Sequence, residues 1–410
     1  MILRGSCLFG QSGGPTAVIN ASAYGVFKCA LASAQVTRVL GAAHGVRGIL
    51  DDVIYDMGAE DPRELSLLMN TPSSALGSCR YKMAEPEEDE TDYRRILEIF
   101  QKYDVRFFLY SGGNDSMDTC DKISRYMEKA DWACNIIGVP KTIDNDLWGT
   151  DHCPGFGSAA RYIATSCMEL AQDTAVYDIN QVTIVEIMGR HAGWLTGAAA
   201  LATEAGSGPD LIYLPEVDFD MQRFLADTEK ICREKGKALI AVSEGIHFAD
   251  GRFVAEAEVS ATDGFGHAQL GGLAAVLAQT VKKKLSVKVR GIELSLLQRC
   301  GAHLAAGTDI DDAFLAGRTA LEAAVAGESG KMVAFERTNE DGKYSCKMKL
   351  IPLASVANRE NKVPLDWIVP EGNNVTAAFL DYVRPLIQGN PVRIWENALP
   401  RYARLKKQRA

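Results

Sequence analysis

No stretch of this 410-residue chain approaches the roughly 20 consecutive apolar residues that a bilayer-spanning helix needs. The opening residues, Met1 to Cys7, lack the basic, apolar and cleavage-site order of a secretory leader, so none is expected. The ten cysteines are scattered, with no Cys-x-x-Cys pair and no histidine at zinc-site spacing. They read as reduced, mostly buried thiols of a cytoplasmic protein. Basic residues are in deficit, 44 Lys and Arg against 53 Asp and Glu, for a net charge of −9. That balance argues against nucleic acid or an anionic membrane as partner. It leaves room for a small anion, because a few local cations or a divalent metal can outweigh the global field. Proline is scarce, 14 against 37 Gly, and there is no repeat, coiled coil or low-complexity linker. What is present is a globular composition, 47% hydrophobic and 24% charged, on a chain too long for one small domain.

Short apolar runs recur, each ending in a Gly- or acid-containing loop and followed by helix-like periodicity. Cys7-Leu8-Phe9, the run 105–110, the run 135–139 and the run 182–188 are the clearest, with further strands expected at 210–215 and 238–244. Strands alternating with helices imply doubly wound, mainly parallel α/β sheets with helices on both faces. Lys282-Lys283-Lys284 reads as an exposed helix end, and the acidic run 85–92 as a solvated loop or helix start. From about Gly330 the texture changes. The segment 343–350 alternates like a half-exposed strand, then the chain runs through Pro352, Pro364 and Pro370 to a basic end. The stretch 330–410 is therefore expected to be an edge or interface extension.

Four loops carry the chemistry. Gly10-Gln11-Ser12-Gly13-Gly14-Pro15 lies between a strand and a helix, where glycines let backbone N–H groups approach a phosphate and the helix N-terminus favours its charge. A tight structural turn would read alike, since the full dinucleotide and P-loop fingerprints are missing. Ser111-Gly112-Gly113-Asn114-Asp115-Ser116 repeats the arrangement and adds an acid. Asp115 makes sense there if Mg2+ bridges it to a phosphoryl group; Asp115 or Ser116 would equally serve as a helix cap. In the third loop Pro140 ends an apolar run before Lys141-Thr142-Ile143-Asp144-Asn145-Asp146. One lysine and two aspartates at a strand's carboxyl end suit a site that handles anions, cations and protons together, although a solvated polar turn has the same composition. The fourth loop, Met188 to Trp194, offers Arg190 as a fork for a phosphate or sugar oxygen. His191 reads as a packing histidine rather than an acid/base. Glu244 follows another strand, and Arg290 with Arg299 suits a phosphate clamp, though each arginine taken singly reads as a surface or salt-bridged one.

Together these loops resemble the phosphofructokinase family, in order from about Gly5 to Arg318. The resemblance is carried by Ser12-Gly13-Gly14, Gly77-Ser78-Cys79-Arg80, Gly112-Gly113-Asn114-Asp115-Ser116, the Pro140–Asp146 loop, Gly155-Phe156-Gly157-Ser158-Ala159, Met188-Gly189-Arg190, Ser243-Glu244-Gly245 and Gln298-Arg299. It implies two α/β domains with the active site in the cleft between them. Residues 1–150 would form the phosphoryl-donor domain, completed by part of 255–320, and residues 151–254 the sugar-phosphate domain. The implied reaction is phosphorylation of the 1-hydroxyl of fructose 6-phosphate in a cytoplasmic glycolytic enzyme with Mg2+. Asp144 resembles the general base, suited to take the proton as the bond to phosphorus forms. Asp146 resembles the second carboxylate, and Arg190 and Lys141 complete the catalytic set. Gly14, Arg80, Asp115, Ser116 and Lys141 look like donor contacts. Thr142, Asp144, Met188, Gly189, Arg190, Glu244, Arg290 and Arg299 look like the fructose 6-phosphate site.

The same resemblance bears on the donor. ATP-using relatives generally carry glycine at the positions of Asp115 and Lys141, while pyrophosphate-using relatives carry Asp and Lys, as here. An Asp side chain fills the α-phosphate space and repels a further anion. A lysine supplies charge to a compact donor and to the charge that develops during transfer. The expectation is reversible transfer from pyrophosphate, giving fructose 1,6-bisphosphate and phosphate. The alternatives are an ATP-dependent 6-phosphofructokinase and a catalytically silent sugar-phosphate-binding paralogue. An enzyme resembling NAD kinase would leave Met188-Gly189-Arg190 and Glu244 unexplained. Sedoheptulose 7-phosphate stays open as an acceptor. Asn114 replaces a usual acid, so the metal would rely on Asp115. Gln181 and Leu296 replace residues common in tetrameric relatives, which favours a homodimer over a tetramer.

Overall fold

The computed structural model describes residues 3–176, 178–255, 272–338, 344–357 and 359–410. In chain order its strands are β1 (Gly5–Gln11), β2 (Val36–Ala42), β3 (Ile54–Asp56), β4 (Val105–Gly112), β5 (Asn135–Pro140), β6 (Gln181–Ile187), β7 (Leu211–Tyr213), β8 (Lys237–Ser243), β9 (Lys288–Glu293), β10 (Lys331–Arg337) and β11 (Cys346–Pro352). They divide between two compact units. The first holds Met1–Gly155, Ala305–Glu360 and Gly389–Ala410; the second holds Phe156–Leu304 and Asn361–Gln388.

The first unit is built on a seven-stranded sheet in the order β11-β10-β5-β4-β1-β2-β3. The central strands run parallel, and β3 and β11 pair antiparallel at the two edges. Every residue of β1 is buried, as a strand covered by helices on both faces requires. The helix Gly307–Val325 lies against the helix Ile19–Ala32 through glycines on both sides. A Cβ at Gly317 would meet the Ser22 carbonyl oxygen at 2.0 Å, and one at Gly25 the Phe314 carbonyl oxygen at 2.2 Å. Two missing side chains thus let the backbones approach and bury the alanine face Ala313, Ala316, Ala320 and Ala324.

The second unit carries a four-stranded, wholly parallel sheet in the order β7-β8-β6-β9. Its core is continuous through Val182, Ile184, Ile240, Val242, Phe224 and Leu277. Lys282, Lys283 and Lys284 form the exposed last turn of the helix Leu273–Leu285, as expected.

The α/β class and the parallel sheets are as read from the sequence, but the segment boundaries differ. Of 255–320, only the part from Ala305 joins the first unit, while β9 joins the second because it pairs in register with β6. Residues 256–271 lie outside the described residues. The stretch 330–410 is not one extension. β10 and β11 extend the first sheet and fill its core with Met332, Ala334 and Leu353. Residues 361–388 belong to the second unit, where Ile212 N donates to Asn373 O at 2.8 Å and Trp194 Nε1 to Asn361 O at 2.9 Å. The chain then returns to the first unit. The half-exposed strand expected over 343–350 is β11, with alternating exposure at its start; Lys343 lies outside the described residues. All ten cysteines are unpaired, five buried and five partly so.

Candidate active site

In the first unit, β1, β4 and β5 are neighbours, so their carboxyl ends deliver three of the four loops side by side. Backbone bonds lock these loops together. Ser12 N donates to Ser111 O at 2.8 Å and Lys141 N to Gly112 O at 3.0 Å. Gly13 adopts φ +73°, which glycine takes without steric cost. Its N–H donates to Cys79 O at 3.0 Å and its carbonyl accepts from Ser78 Oγ at 2.6 Å, which brings the Arg80 segment to the first loop. Lys141 is only 3% exposed, and its Nζ donates to Gly14 O at 2.7 Å. The ammonium is therefore seated within the glycine loop.

The N-cap position of the helix Asn114–Lys129 is Gly113, which has no side chain of its own to cap it. Neither Asp115 nor Ser116 occupies that position; Ser116 packs on Gly112, where a Cβ would come within 2.0 Å of its Oγ. A helix N-terminus carries partial positive charge that favours an anion.

The turn that carries the two aspartates pivots on Asn145, at φ +58°, a left-handed conformation that asparagine tolerates. Asn145 Oδ1 accepts from Cys153 N at 2.8 Å, and the Thr142 hydroxyl oxygen from Asp144 N at 3.1 Å. Asp146 accepts a 3.4 Å contact from Asn114 Nδ2. Burial, then the neighbouring carboxylates of Asp144 and Glu360, push Asp146 up to about 7. Glu360 reaches this turn from 214 residues away, through an antiparallel bridge to Leu147; nothing local in the sequence announces it.

The same corner fits Mg2+. Carboxylates crowd there, and Asn114 Oδ1 is shut off from solvent without a donor among the described residues. Among those residues no three His, Cys, Asp or Glu converge into a protein-only metal cage. A hard cation such as Mg2+ takes carboxylate and amide oxygens as ligands.

In the second unit, the loop after β6 meets the loop after β8. Glu244 N donates to Ile187 O at 2.9 Å, Gly189 N to Glu244 Oε1 at 3.3 Å, and Ser243 Oγ to Gly189 O at 2.5 Å. A Cβ at Gly245 would lie 1.8 Å from Arg190 O, so only glycine allows the two loops to close up. Met188 N donates to Gln298 Oε1 at 3.1 Å, which brings Arg299, the next residue, to the same edge. Arg190 Nε is shut off from solvent with no acceptor among the described residues. A buried donor of this kind calls for an acceptor. Met188, Gly189, Arg190, Glu244 and Arg299 thus come together, but Arg290 does not join them. It is exposed on the edge strand β9, in register with Thr183, five residues upstream of Met188.

A phosphofructokinase family model matches residues 7–329. The chain belongs to that family. It is 42% identical over 408 residues to a pyrophosphate–fructose 6-phosphate 1-phosphotransferase of Halomonas elongata, covering 98% of this chain and 97% of the relative. It is 44% identical over 410 residues to the protein of that name from Xanthomonas campestris, covering 98% and 96%. The solved structure of a pyrophosphate-dependent phosphofructokinase from Nitrosospira multiformis matches with a TM-score of 0.89 at 38% identity, covering 98% of this chain and 97% of that one. The resemblance read from the sequence, to the pyrophosphate-dependent type, is borne out.

Proposed function

We propose that this phosphofructokinase catalyses reversible, Mg2+-dependent phosphoryl transfer from pyrophosphate to the 1-hydroxyl of fructose 6-phosphate. The reading is carried by one observation: the buried Lys141 ammonium lies 2.7 Å from Gly14 O inside the glycine loop. Full-length relatives named for that reaction support it.

The first unit is the donor domain. The loop at Gly14, Arg80, the helix start at Asp115 and Ser116, and Lys141 hold the compact pyrophosphate anion. The Asp115 carboxylate, at the start of that helix, fills the space of a third phosphate and repels it. Asp115 would hold Mg2+, which would supply charge neutralisation at the donor's phosphoryl groups. Asp144 takes the proton from the sugar 1-hydroxyl, which must lie in line with phosphorus. Asp146, the second carboxylate, keeps the turn in place through Thr142 and Asn114. Lys141 stabilises the negative charge that grows on the leaving phosphate.

The second unit is the sugar-phosphate domain. Arg190 and Arg299 bind the 6-phosphate, Glu244 accepts from sugar hydroxyls, and Met188 and Gly189 shape the wall; Thr142, in the first unit, is also proposed as a fructose 6-phosphate contact. Arg290, exposed on an edge strand, joins this set through the homodimer expected from the sequence, or through a tetramer, and sedimentation tests that assembly. No helix of the described residues is long and apolar enough to cross a membrane, and a cytoplasmic site of action is part of the proposal. The decisive experiment supplies fructose 6-phosphate and Mg2+ with either pyrophosphate or ATP. Turnover with pyrophosphate is expected; turnover with ATP alone overturns the donor assignment.

A further inference from the structure

The segment that follows the Asp144–Asp146 turn ends in a buried charged cluster that the reaction above does not use. His152 is 2% exposed. Its Nδ1 lies 2.9 Å from Asp151 Oδ1 and its Nε2 3.1 Å from Asp312 Oδ2. A neutral imidazole has one N–H and satisfies one carboxylate; an imidazolium donates to both.

The charged and titratable groups that face the ring come from every element around it. Asp151 is on its own segment, Asp312 on the helix Gly307–Val325, Arg337 on β10, Tyr344 just before β11 and Cys346 on β11. Arg337 donates to Asp151 at 3.0–3.2 Å. The Tyr344 hydroxyl lies 3.3 Å from Asp312 Oδ2 and 3.4 Å from His152 Nε2. Burial, then Asp312, keep the Tyr344 phenol neutral, and burial pushes the Cys346 thiol up to about 12. With both groups neutral, the two carboxylates are balanced by Arg337 and a charged His152. A neutral His152 leaves one buried negative charge uncompensated. Burial opposes the charged ring, but the bonds to Asp151 and Asp312 outweigh it and push His152 up to about 9.

The cluster fastens the return leg of a closed loop. Asp151 N donates to Phe335 O and Phe335 N to Thr150 Oγ1, each at 2.9 Å, which ties residues 150–151 to β10. Gly155 N donates to Asp309 Oδ1 at 2.9 Å, on the same helix as Asp312. The outgoing leg rests on this one: Thr142 N donates to Pro154 O at 3.3 Å, Thr142 bridges Gly155, and Asn145 accepts from Cys153 N at 2.8 Å.

We propose that protonated His152 is a positioning residue for phosphoryl transfer: by bridging Asp151 and Asp312 it holds the 150–155 leg against the helix Gly307–Val325, and that leg sets the turn carrying Asp144 and Asp146. The inference rests on the role proposed for Asp144; His152 itself touches neither substrate.

The test compares the full-length protein with His152→Gln and Asp312→Asn. Rates with pyrophosphate, fructose 6-phosphate and Mg2+ are measured from about pH 6.5 to 10, beside NMR titration of ring-labelled histidines. The wild-type kcat should fall along a high-pH limb near 9, with one of the six histidines titrating at the same midpoint. Asp312→Asn should move the limb and the midpoint down together by roughly one unit, because one opposing charge is lost. His152→Gln should lower kcat by about tenfold or more and abolish the limb, with KM for fructose 6-phosphate changed less than about threefold. A high-pH limb that persists in His152→Gln, a kcat there within about twofold of wild type, or an unshifted midpoint in Asp312→Asn overturns the proposal. If His152→Gln does not fold, Asp312→Asn decides it. If the wild type shows no turnover with pyrophosphate, the functional reading fails on its own, and the NMR midpoints still decide whether the clamp is charged.

Discussion

Lys141→Met removes one buried positive charge and keeps the side chain's length and apolar stem. Lys141 is 3% exposed and bonded to Gly14 O at 2.7 Å, so its charge acts in a place largely closed to water. At an effective dielectric of about 20, two unit charges about 4 Å apart interact by roughly 4 kcal/mol. An interaction of that size, stronger in the transition state than in the ground state, is worth about a thousandfold in rate. Part of it goes to the Gly14 carbonyl, so kcat/KM for pyrophosphate should fall by about a hundredfold to a thousandfold. Folding moves much less. Gly14 O loses a donor, at a cost of about 1–3 kcal/mol, which is offset by no longer burying an ammonium. Initial rates and a thermal melt on the same preparation separate the two effects. A loss below about tenfold in a protein that melts like the wild type refutes the donor role of Lys141.

Opening the donor site should change its selectivity: Asp115→Gly combined with Lys141→Gly is expected to weaken pyrophosphate use and admit some ATP, read as the ratio of kcat/KM for the two donors. Asp144→Ser should nearly abolish turnover while calorimetry still detects fructose 6-phosphate binding; undiminished rates would remove Asp144 as the base. In the second unit, burial pushes the Glu186 carboxyl up to about 7, well above its unfolded value. Its stabilising contribution is therefore complete below the unfolded pKa and is lost as pH rises through about 7. The loss amounts to roughly 3 kcal/mol, and Glu186→Gln should flatten that part of the urea-denaturation slope between about pH 5 and 8. An unchanged slope would contradict the assignment. Gly317→Val places a branched side chain where a Cβ already meets Ser22 O at 2.0 Å. It should cost about 3 kcal/mol or more in chemical denaturation; a wild-type midpoint would show that the helix crossing is loose.

Much of this was legible without coordinates because it is local. An apolar run that ends in glycine and acid marks a strand's carboxyl end whatever its neighbours are, so the loops at Gly14, Gly112, Lys141 and Gly189 could be read directly. The residue types at Asp115 and Lys141 likewise carried the donor argument before any distance was known. What could not be read was membership. Which part of 255–320 completes the first unit was left open; β9 pairs with β6 in the second, because strand pairing is decided by which edge offers a matching register. β10 and β11 looked like an added tail, but they bury Met332, Ala334 and Leu353 in the first core. Arg290 and Arg299 read as one clamp from nine residues' spacing, and the strand direction of β9 separates them.

The sequence alone therefore determined the alternation of strand, loop and helix, the family and the chemical character of each loop, since all depend on residues within a few positions of one another. Only the tertiary structure decided which side chains share a charge balance. Lys141 meets Gly14 across 127 residues, Glu360 meets Asp146 across 214, and His152 meets Asp312 across 160. Electrostatic and hydrogen-bond energies depend on distance in space, and no local pattern encodes a distance between residues that far apart in the chain.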